Sequence, residues 1–425
     1  MRRTGAGVPS GQRAMRGEAA PPTWATAPRV TAGAPALDVA RRNVLALALC
    51  QGLFMSTSAL MVTVGSLAGY ALADDKALAT LPATGTVVGT AMAAIPASYL
   101  CRRLGRRPGF LVGAALAMAG GALGAVAVTA HSFPVLILGT ALVGMSAAFG
   151  QLYRFTAVEA SPPAWRGRAI SLVLAGGIAA GFVGPQLARL TADALPVPFL
   201  GAYLSVPALV ALSILCIARL DLPRSVDTSI DRPARPVGAI VRQPVFLVAA
   251  LSQMMAYGVM NLAMTGTPLA MRAHDHGLAD TAFVIQWHVV GMFAPGFVTG
   301  RLVERLGERP VILAGIALNL AGVAAASAGT GVQHFWLALL LVGVGWNCMF
   351  VAGSAMVTRT YAPAERARAE GANDFLVFAM VAVTSVSSGQ LLHRHGWQAV
   401  VVAALPMLLG ALVAVLWRVE GRRAG

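Results

Sequence analysis

Along this chain, apolar stretches of about 20 residues alternate with short polar ones, and that length is what an α-helix needs to cross the hydrocarbon core of a bilayer. The stretches fall near residues 44–71, 79–100, 109–130, 133–156, 168–190 and 197–219. After a polar interval they resume near 244–269, 279–302, 310–329, 334–358, 371–392 and 396–418. The pattern predicts an all-α membrane protein with twelve transmembrane helices. Residues 1–42 are polar, rich in Ala, Pro, Gly and Arg, and lack the roughly 7–15-residue apolar core of a secretory signal. They are expected as a disordered cytoplasmic tail. Residues 221–243 hold Asp, Arg, Ser and Pro without an apolar stripe, and are expected as a cytoplasmic linker. That divides the chain into six-helix bundles at 43–220 and 244–418, followed by a short tail at 419–425.

The polar connections differ in charge. One set carries Arg102, Arg103, Arg106 and Arg107, then Arg166 and Arg168, then Arg224, Arg232, Arg235 and Arg242. It continues with Arg301, Arg305 and Arg309, then Arg359, Arg366 and Arg368. The opposite set holds mainly Asp74, Asp75, Lys76, Asp193, Arg272, Asp275, Asp280, Arg394 and several His. Arg and Lys accumulate on the cytoplasmic side of membrane proteins, so both termini are expected in the cytoplasm of a bacterial inner membrane. An even helix count requires the same.

Composition agrees. The chain is 57% hydrophobic and 12% charged, against about 25% charged for a soluble domain, so lipid must be its solvent. The 46 glycines suit close helix packing in a bilayer. The formal charge of +15 does not point to nucleic acid, because the basic residues sit in short clusters between apolar runs. They read as topology signals and contacts to anionic lipid. Cys50, Cys101, Cys216 and Cys348 lack metal spacing and are expected as reduced packing residues. Neither metal nor cofactor is expected. The chain has no P-loop, no zinc-protease helix signature and no nucleophile elbow, which argues against an ATP-driven pump or an enzyme.

The most specific signal is an internal repeat. Leu100-Cys-Arg-Arg-Leu-Gly-Arg-Arg-Pro108 recurs as Leu302-Val-Glu-Arg-Leu-Gly-Glu-Arg-Pro310, and Pro163-Ala-Trp-Arg-Gly-Arg-Ala169 recurs as Pro363-Ala-Glu-Arg-Ala-Arg-Ala369. The two offsets are nearly equal and close to half the chain. Each motif holds the same place in its half, between helices two and three or between four and five. Two parallel six-helix repeats around a midplane site are the architecture of one class of secondary transporter.

These residues resemble the major facilitator superfamily, whose loop between helices two and three reads G-x-L-a-D-r-x-G-r-r, with a weaker copy between eight and nine. Gly300, Leu302, Glu304, Arg305, Gly307 and Arg309 follow it in the second half. Leu100, Arg103, Gly105, Arg106 and Arg107 follow it in the first, where Ser98 replaces the glycine and Arg102 stands at the acidic position. The resemblance implies alternating access, with a loop latch that Arg102 weakens, and a cavity lined by helices one, four, seven and ten.

Ionisable groups at membrane depth are costly and therefore candidates for function. Arg154 and Glu159, near the end of helix four, suit an anionic substrate group or a structural pair with a loop Arg such as Arg166 or Arg168. Asp374 suits a gate partner for the Arg366/Arg368 loop, or a carboxylate complementing a helix N-terminus. His288 is a candidate proton relay, with a packing role as the alternative. Gln51, Ser56, Thr57, Asn261, Trp346 and Asn347 are polar or aromatic near mid-membrane and are cavity candidates for an uncharged or zwitterionic organic solute. Gly181, Gly184 and Pro185 predict a bend in helix five and resemble the glycine–proline motif of antiporters, a lean toward export. The function expected is a monomeric transporter of a small solute, with protons as a candidate coupling ion and lipid as surroundings. Nutrient uptake is the alternative, and a non-transporting sensor or scaffold is the rival from another class.

Overall fold

The computed structural model describes residues 37–162, 165–222, 235–362 and 365–416, and these are helical with no strand among them. The elements are α1 (Leu37–Leu72), a short 3-10 turn at Lys76–Leu78, α2 (Leu81–Leu104), α3 (Arg106–Thr129), α4 (Phe133–Gly150), α5 (Tyr153–Glu159), α6 (Arg166–Thr191) and α7 (Leu200–Ala218). There follow α8 (Val237–Val241), α9 (Pro244–Ala273), α10 (Leu278–Phe293), α11 (Gly296–Leu306), α12 (Glu308–Ser327), α13 (Val332–Thr358), α14 (Arg366–Val402) and α15 (Ala404–Leu416).

Twelve spans result. Ten stretches among the described residues are long and apolar enough to cross a bilayer, with α4 and α5 counted as one and α10 and α11 as one. One of the ten, Arg368–Leu416, contains two spans, and the 26-residue α6 supplies the twelfth. The double span turns at Gly396, whose φ of 75° only glycine adopts at little cost. Before the turn, α14 runs parallel to α9, since Gln253 meets Asn373 and Asn261 meets Thr384. After it the chain runs back along α9, with Val400 beside Gly266 and Met407 beside Gly258.

Two boundaries differ from the sequence expectation. Helix α1 opens at Leu37, inside the stretch expected as tail, because Asp38 lies in its first turn, where a carboxylate favours the helix dipole. Asn43 then exchanges two hydrogen bonds with the Asp221 backbone, at 2.6 and 2.9 Å, tying α1 to the end of α7. The stretch expected as linker contains the five-residue α8.

Helices approach through small residues. A Cβ on Gly89 would stand 2.1 Å from the Ala141 carbonyl oxygen, and one on Gly144 would stand 2.0 Å from that of Thr86. The small-residue spacing Gly85–Gly89 lies at the crossing of α2 on α4, where dispersion between close backbones replaces the hydrophobic effect. One large apolar cluster draws on Val44 through Leu220. A second draws mainly on Ile240 through Val415.

The halves meet at the end of the molecule remote from Leu37 and down to mid-depth. There Thr80 Oγ1 donates to the Ser385 carbonyl at 3.0 Å, and Thr84 and Ser385 hydroxyls pair at 2.9 Å. Gln186 on α6 donates to Gln286 on α10 at 2.9 Å, and Gly177 faces the Phe293 ring. At the end bearing Leu37, no hydrogen bond or ion pair joins the halves among the described residues. Polar contacts between the halves therefore lie at the far end and at mid-depth.

Replacing Gly144 by Val should force α2 and α4 apart and cost about 3 kcal/mol, read as a lowered melting temperature in detergent. Gly65→Ala, whose new methyl meets nothing within 4 Å, should leave it unchanged or slightly raised.

Candidate functional site

Aromatic rings of the second half gather between α9, α10, α13 and α14. Trp346 and Phe350 are one helical turn apart on α13 and therefore share a face. Their rings stack 5.0 Å apart at 8°. Tyr257 of α9 stands edge-on to both, at 5.0 and 5.2 Å. Phe293 lies 6.4 Å from Trp346, and Phe378 lies 6.4 Å from Tyr257. Trp346 is only 4% exposed, and its indole N–H has no acceptor among the described residues.

Beside the rings runs an amide network. Gln253 donates to Asn373 Oδ1 at 3.1 Å and accepts from Ser354 Oγ at 3.1 Å. Asn373 donates in turn to Asp374 Oδ1 at 3.3 Å. Asn261 donates to the Val381 carbonyl at 3.1 Å and to Thr384 Oγ1 at 3.2 Å. Asp374 is exposed, with the Asn373 amide as its hydrogen-bond partner among the described residues. From the other half comes Arg154, on α5. Its guanidinium lies over the Phe155 ring at 4.8 Å, its Nε is buried without an acceptor, and Asp374 and Tyr257 lie within its electrostatic range.

Several expected site residues are occupied elsewhere. Ser56 and Thr57 donate to carbonyls one turn back on α1, and Thr57 lines a small crevice inside the first half, with Phe54, Ser58 and Tyr153. Gln51 is buried on α1. Asn347 donates to the Met292 carbonyl at 2.7 Å and accepts from Thr299 Oγ1 at 2.6 Å. It thereby satisfies a carbonyl where Pro295 separates α10 from α11. His288 is fully buried, with Nδ1 2.6 Å from the Leu339 carbonyl of α13.

One expectation is corrected. Asp374 does not complement a helix N-terminus, because α14 begins at Arg366 and the dipole's effect fades within the first turn. Helix α6 runs through Pro185 without interruption. Its glycines serve close contacts, Gly184 with Ser56 and Ala59 of α1 and Gly181 with Val289 of α10. Sequence reasoning missed Gln253, Tyr257, Phe350 and Phe378. The signal for the first two was present, because Gln253, Tyr257, Asn261 and Thr265 recur every fourth position on one face of α9.

At the end bearing Leu37, the repeated loops turn on Gly105 and Gly307, with φ of 94° and 84°. Each loop is pinned to the end of the fourth span of its own half. Arg106 pairs with Glu159 through two bonds of 2.5 and 3.0 Å, and Glu308 pairs with Arg359 at 3.1 Å. The two pairs are related by the repeat but carry opposite polarity. Arg103 lies over the Tyr99 ring at 4.9 Å, and Arg107, Arg305 and Glu304 are exposed, while nothing lies near Gly300. The side chains of Arg166, Arg168 and Arg366 lie outside the described residues. Arg368 donates to the Arg235 carbonyl at 3.1 Å. Arg235 binds Glu365 through both carboxylate oxygens at 2.7 Å. These bonds, led by that from Arg235, hold the Glu365 carboxyl well below its ordinary range, down to about 2. No group of three His, Cys, Asp or Glu is placed to hold a metal among the described residues.

A twelve-span bundle in two like halves is the architecture of a secondary transporter. The Major Facilitator Superfamily model matches residues 47–296 and again 249–425. The chain is 38% identical over 388 residues to the riboflavin transporter RfnT of Brucella anthropi, covering 91% of this chain and 98% of that protein. It is 26% identical to the tetracenomycin C resistance and export protein of Streptomyces glaucescens over 185 residues, or 43% of this chain and 34% of that one. Among solved structures it superposes on the xylose transporter XylE from E. coli with a TM-score of 0.68 at 16% identity, covering 91% and 99% of the two chains. On the nucleoside transporter NupG the TM-score is 0.66 at 13% identity, with 88% and 98% covered. The chain belongs to the Major Facilitator Superfamily. It is a multi-pass membrane transporter of small solutes and not an enzyme.

Replacing Asn347 by Leu should leave the Met292 carbonyl without its donor, while Thr299 keeps the Pro295 carbonyl as acceptor, and cost about 1–3 kcal/mol, measured by thermal unfolding. The Arg235–Glu365 clamp has a lowered carboxyl pKa. Its contribution is therefore complete above the ordinary value of 4.5 and is lost as pH falls toward about 2. The melting-temperature gap between the parent chain and Glu365→Gln should be constant from neutral pH to about 5, then shrink with further acidification.

Proposed function

We propose that this transporter carries riboflavin or a closely similar flat, uncharged heterocycle. The observation that carries the reading is the stacked Trp346–Phe350 pair with Tyr257 edge-on, beside an amide network. Aromatic rings give planar solutes a large contact area, and few polar groups then set the orientation. The 38% identity to a riboflavin transporter over nearly its full length supports the same class of solute.

The Arg bias of the loops supports a cytoplasmic location for the end bearing Leu37, in which case the seam between the halves opens inward. The two halves rock about the aromatic wall, and the Arg106–Glu159 and Glu308–Arg359 pairs keep each half rigid while it moves. Neither residues 43–72 of α1 nor α9 carries a carboxylate, which favours movement down the solute's own gradient over strong proton coupling. Direction then follows the gradient, and one chain suffices. Export is the second reading, favoured by the partial likeness to the tetracenomycin exporter.

Proteoliposomes holding the purified chain should show saturable riboflavin flux in either direction, insensitive to a pH gradient. Trp346→Ala should lower flux at limiting substrate by roughly tenfold or more, through lost stacking. Flux that appears only with a proton gradient driving riboflavin out favours export. No flux of riboflavin sinks the proposal and favours a sensor or scaffold.

A further inference from the structure

We infer that Tyr70 and Arg272 form a clasp that holds the end remote from Leu37 shut, an aromatic ring of the first half gripped by a guanidinium of the second. The inference needs only two halves that move against each other, and does not rest on the riboflavin reading.

The first half fixes the ring. Lys76 turns back over the end of α1, and its Nζ donates to the Tyr70 and Ala73 carbonyls at 2.8 and 2.6 Å. It thereby takes up acceptors that the last turn of a helix leaves free. The ammonium stands 5.1 Å from the centre of the Tyr70 ring. From the second half, Arg272 in the last turn of α9 reaches across, its guanidinium carbon 5.2 Å from the same ring centre. A guanidinium over an aromatic face is attracted by the ring's negative face and stacks on it as a plane. Among the described residues this is the one cation–π contact that joins the halves; Arg103 over Tyr99 and Arg154 over Phe155 each stay within the first. Arg272 forms no ion pair among the described residues, so the Tyr70 ring is the group that engages its charge.

The surroundings are those of a closed end. Leu67 and Ala79 of the first half pack on Leu269 of the second, with Tyr70, Leu278 and Leu392 against them. Beside this cluster Thr80 and Thr84 bond Ser385 of α14, and Gly389, one turn on, leaves no room for a side chain against Thr80. Apolar contacts tolerate sliding, whereas a ring held between two cations is directional and sets α1 against α9, the first span of each half.

The test reads the opening directly. Spin labels are attached at Ala130→Cys and Ala328→Cys, exposed positions just past the ends of α3 and α12, with the four native cysteines replaced by Ala. Their separation is measured by double electron–electron resonance in lipid nanodiscs, and opening of the far end lengthens it. Arg272→Gln, at an exposed position, should raise the long-distance population relative to the short one by about two- to fivefold, the worth of an exposed cation–π contact. Tyr70→Leu should do the same, while Tyr70→Phe, which keeps the ring and loses the hydroxyl, should match the parent chain. The double variant Tyr70→Leu/Arg272→Gln should match either single one, since both remove the same contact. An unchanged distribution in Arg272→Gln overturns the inference. So does a Tyr70→Phe variant that behaves as Tyr70→Leu, or a double variant in which the two shifts multiply. If Tyr70→Leu is not monodisperse in detergent, Arg272→Gln and Tyr70→Phe decide. No solute enters the measurement, so its failure and a failure of riboflavin flux are separate results.

Discussion

Lipid offers no hydrogen bonds to a backbone, so every span must satisfy its own, and helices must then hold together without the hydrophobic effect between them. This constraint shapes the whole molecule. It explains why Gly89 and Gly144 sit at backbone contact in the α2–α4 crossing. It also explains why Ser56, Thr57 and many other hydroxyls donate to carbonyls of their own helix. Where a helix does break, as at Pro295, a side chain from the neighbouring span takes over the freed carbonyl. Few buried polar groups are left without such employment, among them Arg154 Nε and the Trp346 indole N–H.

The seam divides the work between two walls. The second half supplies the aromatic surface and the amide network, on α9, α13 and α14. The first half supplies a lone cation on α5. The asymmetry is notable because the backbone repeat is close, down to matching glycine turns with φ of 94° and 84°. Even the loop staples, Arg106–Glu159 and Glu308–Arg359, occupy matching places with reversed charge. A repeated scaffold with unlike linings binds an unlike-ended solute in one orientation, which a symmetric lining does not favour.

Hydrogen bonds between the halves lie at the end remote from Leu37 and at mid-depth, with none among the described residues at the other end. Thr80, Thr84 and Ser385 close the far end with hydroxyl bonds, which are short-range and reform easily. At the near end, the salt bridges are all internal to one half or to the Arg235 clamp. Opening the far end therefore breaks few and individually modest bonds, and no buried ion pair has to be separated.

The number of spans, the repeat and the family were legible in the sequence, because span length and loop charge are set by the bilayer and act locally along the chain. The turns at Gly105 and Gly307 were legible for the same reason, since a sharp reversal needs a backbone only glycine supplies. Trp346 was visible as an aromatic beside an amide, with Phe350 one turn on along the same helix, but Tyr257 and Phe378 come from α9 and α14, and no local pattern couples them to it. Asn347 read as a cavity residue, yet it bonds Met292 on another span. Asp374 read as a helix start because its neighbours are polar, whereas the helix begins eight residues earlier. Which polar groups are already satisfied, and which remain for a solute, depends on neighbours distant in sequence, so only the packed tertiary structure decided it.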